Sequence, residues 1–499
     1  MQTDPRYIKS TDTETQTQTH VGLFKTGVTS RRLRSLIASA VLGVSVVGCG
    51  GDDQQSDGKG ADYARQGAFP SSYKISESAP VLIRGATLLT GTGEQLANTD
   101  LLLKDGKIAA IGEGLKAPRE GRVVEAAGKW VTPGIIDVHS HLGDYPAPSI
   151  ESSQDGNEMT SPNTAQVWAE HSVWTQDPQF ALALAGGVTS LQILPGSANL
   201  FGGRGVTLKN VPGRSVQDMK FPGAPYGLKM ACGENPKRVY GGKGTLPSTR
   251  MGNVAGYRQA WISAAAYRDK WDDYHKNGGD EPDRDLQMET LAGVLNGDIL
   301  VHNHCYRGEE MAIMMDVAKE FGFQISTFHH AVEAYKVADL LAENKVCAAM
   351  WADWWGFKHE AFDMTEANIA IVDQAKACAM IHSDSAIGIQ HLNEETAKAM
   401  MAGQRAGFHI EPRHAVAWMT LNPARALGID EVTGSLEKGK MADVVVWSGN
   451  PFSVYSKADQ VFIDGVLMYD RKDPKRQPHS DFELGILDAE GERLPEGGN

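Results

Sequence analysis

Cysteine is scarce, with five in 499 residues, and neither a CxxC pair nor a Cys/His finger spacing occurs. That excludes a disulfide scaffold and a zinc finger. Basic residues are outnumbered, 48 Lys and Arg against 62 Asp and Glu, for a net charge of −14. Nucleic acid is therefore not an expected partner, because such binding relies on Lys and Arg neutralising phosphates. Long apolar runs are also lacking. Leu36–Val47 has twelve residues, too few to cross a bilayer core of about 30 Å as a helix. What remains, 41% hydrophobic and 22% charged, is the composition of a globular chain with a sizeable core, neither disordered nor a membrane bundle.

The N-terminus reads as a targeting segment. Thr/Gln-rich residues 1–30 precede Arg31, Arg32, Arg34 and the apolar run, the order of a signal peptide. The run ends in Val46-Val47-Gly48-Cys49, which resembles the bacterial lipobox. The resemblance implies a signal peptide over 1–48, acylation of Cys49, and a flexible tether over 49–78. An exported protein is expected, lipid-anchored through Cys49 on the periplasmic side of a bacterial outer membrane. Cys232, Cys305, Cys347 and Cys378 sit in or beside apolar runs and read as buried unpaired thiols. An oxidising compartment permits one disulfide, but the sequence does not choose the pair.

Short strand patterns with turn signals occupy 79–133, including Val81-Leu82-Ile83 and the hairpin signal Asp105-Gly106, and return over 431–475 with Ala442–Trp447 and Asp464-Gly465. These two ends are expected to pack as one composite β-sandwich. Residues 134–430 instead alternate apolar strands with helical stretches, the pattern of a (β/α)8 TIM barrel. The α/β fold expected is thus a barrel with a small β-sandwich, followed by a tail over 476–499.

The sharpest motif is Thr132-Pro133-Gly134-Ile135-Ile136-Asp137-Val138-His139-Ser140-His141. Strand residues two apart share a face, so His139 and His141 project together and can grip one metal. With the closing runs Thr420–Gly428 and Gly434–Asp443, the chain after residue 79 resembles the amidohydrolase superfamily of metal-dependent hydrolases, and most nearly its imidazolonepropionase-related and prolidase-like branch.

That resemblance implies two divalent metals, with zinc favoured and manganese, iron or nickel as alternatives, held by His139, His141, Lys229, His302, His330 and Asp384. Lys229, on an apolar fourth strand, is the expected carboxylated bridging ligand, with Glu234 as its rival. His302 is chosen over His304, which is left to catalysis or substrate contact. Of the adjacent His329 and His330 only one is expected to point inward. Asp384 would accept a proton from metal-activated water and pass it to the departing nitrogen.

Loops at Pro195–Gly205 and Tyr240–Arg250 are expected at the barrel mouth. There Arg204, Arg250 and Arg307 could clamp a substrate carboxylate, and Trp351, Trp354 and Trp355 could wall the pocket. The expected function is hydrolysis of a C–N bond in a small amide or cyclic amide. Alternatives are a prolidase-like dipeptidase, for which an arginine clamp would predict a requirement for a free α-carboxylate, and a non-catalytic binding lipoprotein. The oligomeric state stays open.

Overall fold

The computed structural model describes residues 67–478. The expected signal peptide, Cys49, most of the tether and the tail beyond 478 lie outside them. Among the described residues no helix is long and apolar enough to cross a membrane.

Eight strands form a nearly closed barrel: β1 Ile135–Ser140, β2 Val188–Ile193, β3 Phe201–Lys209, β4 Tyr226–Ala231, β5 Ile299–Cys305, β6 Ile325–His330, β7 Cys347–Met350 and β8 Cys378–Ile381. Every residue of β1, β2 and β4 is buried, as expected of strands covered on both faces. Strands β1 and β2 run parallel, as do β4 through β8. The third strand departs from the expected alternation, for β3 lies antiparallel to both β2 and β4. The cause is local. Only residues 194–200 separate β2 from β3, whereas a crossover to a parallel strand takes about a dozen residues or more.

Between β8 and β1 the barrel is tied by Asp384 N–H donating to His139 O at 3.0 Å and by Ser383 N–H donating to Asp137 Oδ1 at 3.1 Å. The expected loop at Tyr240–Arg250 is partly helical, since a helix runs Glu234–Gly242 and another Arg250–Asn277. The second is capped by Thr249 and buries Tyr257, Trp261, Ala264, Tyr267 and Trp271, spaced three and four apart as one helical stripe.

Strands from both ends of the chain share one branched sheet. Its order is Val466–Asp470, Ala458–Ile463, Val444–Trp447, Trp130–Pro133, Val81–Leu89, Gln95–Lys104 and Lys107–Gly112, with Arg122–Glu125 beside Val81–Leu89. The joint is the antiparallel pairing of Trp130–Pro133 with Val444–Trp447. Asp105 and Gly106 both take positive φ, 53° and 74°, the tight hairpin turn that Asp-Gly favours.

Lys209 ends β3 with no side-chain exposure, 2.6 Å from Asp464 and 3.3 Å from Asp443. Removing its charge strands two buried carboxylates. Lys209→Met is therefore expected to lower stability by about 3–5 kcal/mol, read as a fall in urea midpoint at unchanged slope.

The four cysteines correct the expectation of free thiols. Cys232 bonds Cys305 and Cys347 bonds Cys378. Neighbouring strands bring the Cα atoms to 5.2 and 4.4 Å, within bridging range, and Cys347 faces Cys378 directly in register.

Candidate metal centre

The carboxyl ends of the barrel strands deliver a cluster of imidazoles to one buried point. His139 lies on β1 and His141 just past its end, their rings 5.0 Å apart. Asp384, just past β8 with φ 50°, brings Oδ1 to 3.1 Å from His141 Nε2 and 3.5 Å from His139 Nε2. These three donor atoms lie within 4.8 Å of one another, as do donors of His139, His330 and His382. Lys229 Nζ on β4 is 3.1 Å from His139 Nε2. Its rival Glu234 stays out of this group and pairs with Lys358 at 3.5 Å.

His141 is oriented from behind, its Nδ1 lying 2.7 Å from the Leu194 carbonyl. A carbonyl only accepts, so Nδ1 donates to it and fixes the ring, which turns Nε2 toward Asp384.

On β5, His302 lies opposite Lys229 and His304 opposite Ala231, so both face the interior at different depths. The deeper ring has both nitrogens engaged, Nδ1 with His329 Nε2 at 3.0 Å and Nε2 with Gln192 Nε2 at 3.3 Å. His304, nearer the mouth, has a buried Nδ1 without a partner, and its ring centroid is 4.5 Å from that of His330.

On β6 the expectation that only one of two adjacent histidines points inward fails. His329 joins His139 Nδ1 at 3.0 Å while His330 joins His382 Nε2 at 2.9 Å. The reason is the backbone. His330 has φ 69°, and this left-handed residue breaks the two-residue alternation of the strand.

Burial dominates the electrostatics. It lowers the pKa of His139, His304, His329 and His330 well below the usual value, His302 to about 3 and His382 to about 4, so these rings are neutral. It also brings Lys229 down to about 7. For Asp384 burial acts upward, but the His141 hydrogen bond and the Lys229 amine prevail and hold it below the ordinary carboxylate value.

The three arginines expected as a carboxylate clamp are engaged elsewhere. Arg204 is 1% exposed, donates to Thr290 Oγ1 at 2.8 Å and stacks 4.1 Å from the Trp168 ring; it lies on β3, in what was expected to be a loop. Arg250 pairs with Glu310 and Glu360, and Arg307 with Glu309. Trp351 stacks on His330 at 4.5 Å, Trp354 stacks on Trp351 at 5.1 Å, and Trp355 is 59% exposed.

Sequence reasoning gave no role to Asp137. Its carboxylate accepts from Ser383 Oγ, Ser383 N and His139 N, and burial pushes it up to about 7. The available signal was a carboxylate two residues before His139 in an apolar strand. Gln192 and Lys358 carried no comparable signal.

Comparison with known proteins agrees with this geometry. Residues 289–468 match the amidohydrolase family. A solved amidohydrolase from Thermotoga maritima MSB8 is similar at 35% identity with TM-score 0.73, over 78% of this chain and all of that one. The amidohydrolase tasK of Hapsidospora irregularis is 32% identical over 82% of this chain; the chain spans 45% of that relative's length. An imidazolonepropionase of Maricaulis maris is 26% identical over 69% of this chain and 86% of its own.

Proposed function

The chain belongs to the amidohydrolase family, and from that premise we propose that it hydrolyses a carbon–nitrogen bond of a small amide or cyclic amide at the imidazole cluster. The observation that carries this is the convergence of His139, His141, Asp384 and Lys229 at one buried point. Members of the family bind divalent metal, and neutral imidazoles beside a carboxylate fit such an ion. When bound, the metal supplies Lewis acidity and lowers the pKa of water to about 7. Two zinc ions are proposed, held by His139, His141, Lys229, His330 and Asp384. His304 is proposed in place of His302, because the nitrogens of His302 are already engaged.

The remaining residues hold protons. For His139 to offer Nε2 to a metal, Nδ1 must carry its proton and donate to His329 Nδ1. His329 Nε2 then donates to His302 Nδ1, and His302 Nε2 to Gln192. The amide accepts if it turns its Oε1, otherwise buried without a partner, toward that ring. Asp384 is the proposed acceptor of a proton from the attacking water and its donor to the leaving nitrogen. Lys229, near neutrality, can add to carbon dioxide, forming an N–C bond, releasing a proton and gaining a carboxylate.

Arg204, Arg250 and Arg307 are engaged within the chain; a prolidase-like dipeptidase is the second reading, distinguished by whether hydrolysis requires a free α-carboxylate. Export with a lipid on Cys49 is also proposed. Two disulfides in the barrel support an oxidising compartment, and mass spectrometry of the native N-terminus checks it.

The test of the hydrolytic function is to measure metal content and to screen purified protein against cyclic amides, N-acyl amino acids and dipeptides. Hydrolysis of at least one class is expected, abolished by chelation and restored by zinc. Metal-loaded protein inert toward all three classes would falsify the proposal.

A further inference from the structure

The loops after β1 and β2 enclose a cavity of about 430 Å³ lined by Asp144, Asp155, Glu158, Ser172, Pro195 and Gly202 among others. It backs onto the metal centre, for a Cβ placed on Gly202 would stand 3.5 Å from Lys229 Cγ. Asp144 is 1% exposed. Its Oδ1 accepts from Ser172 Oγ at 3.0 Å, whereas its buried Oδ2 has no hydrogen-bond partner. A buried carboxylate oxygen without a donor costs free energy that a bound donor would recover. Asp155 and Glu158, both exposed, add negative charge to the same cavity.

We propose that this cavity binds the ammonium or guanidinium end of an organic cation, with Asp144 Oδ2 as its buried anchor and Asp155 and Glu158 drawing it in. Volume favours an organic group over a bare ion, since pockets for small molecules start at about 300 Å³. Resting on the hydrolytic function proposed above, the cavity selects amides that carry a basic group.

Calorimetric titration of the full chain with n-butylguanidinium, with the isosteric neutral n-butylurea and with Ca²⁺ tests this. Butylguanidinium is expected to bind about ten-fold tighter than butylurea or better, the scale of one charge-assisted hydrogen bond. Asp144→Asn is expected to erase the difference, and Ca²⁺ not to compete. Equal binding of the two probes, or an unchanged preference in folded Asp144→Asn protein, overturns the proposal. Competition by Ca²⁺ overturns it in favour of a metal site. If circular dichroism shows Asp144→Asn unfolded, the exposed pair Asp155→Asn and Glu158→Gln decides: weakening of butylguanidinium alone by about three-fold supports the site, and no change overturns it. Binding is read here without turnover. A failed hydrolysis screen therefore leaves this result standing, and a lost preference leaves the hydrolytic proposal untouched.

Discussion

Asp384→Asn is expected to lower turnover by about 10²–10⁴-fold, a barrier increase of about 3–5 kcal/mol, while the protein keeps most of its metal. Asparagine preserves the size of the side chain and one oxygen beside His141 and His139, now 3.1 and 3.5 Å away, but it cannot accept a proton. Burial opposes ionisation of Asp384, and the His141 bond and the nearby Lys229 amine overcome it. The wild-type carboxylate therefore stays ionised through neutral pH, and activity limited by it should fall only as pH drops into the carboxylate range. Stopped assays on metal-analysed samples across pH check both points. Near-wild-type turnover in metal-bound Asp384→Asn protein would pass the proton role to His304 or His382.

His139→Ala should instead remove metal and activity together. His139 belongs to both donor groups of the cluster and also touches Lys229 and His329, so among the described residues it is the side chain shared by both groups. Atomic absorption after gel filtration is expected to find metal largely lost, with turnover reduced beyond the asparagine variant. Full metal content in folded His139→Ala protein would mean that the ions sit elsewhere. His329→Ala makes a useful contrast, since it removes the acceptor of the His139 proton and the partner of His302 but neither donor group; second partners of metal-bound histidines are worth about 10–100-fold in metal affinity.

Much of the centre was legible in advance because strand geometry is local. His139 and His141, and likewise His302 and His304, share a face through a period of two that any reader of the chain can count. The apolar surroundings of Lys229 and Asp384 marked them as buried charges in need of partners. The alternation of apolar strands with helical stretches over 134–430 was likewise readable from the chain.

What the sequence by itself determined was the alternation that builds a barrel, the return of strand patterns at both ends, and the residue types that converge on its mouth. Tertiary structure alone decided the rest. Whether His302 or His304 has a nitrogen to spare depends on Gln192 and His329, which arrive from other strands. That both His329 and His330 enter the cluster follows from φ 69° at the strand end, a backbone state that residue identity does not announce. The pairing of Cys232 with Cys305 and of Cys347 with Cys378, and the capture of Arg250 by Glu310 and Glu360, all join positions far apart in the chain. Periodicity encodes which way a side chain faces; which atom it meets is set by the neighbouring strand.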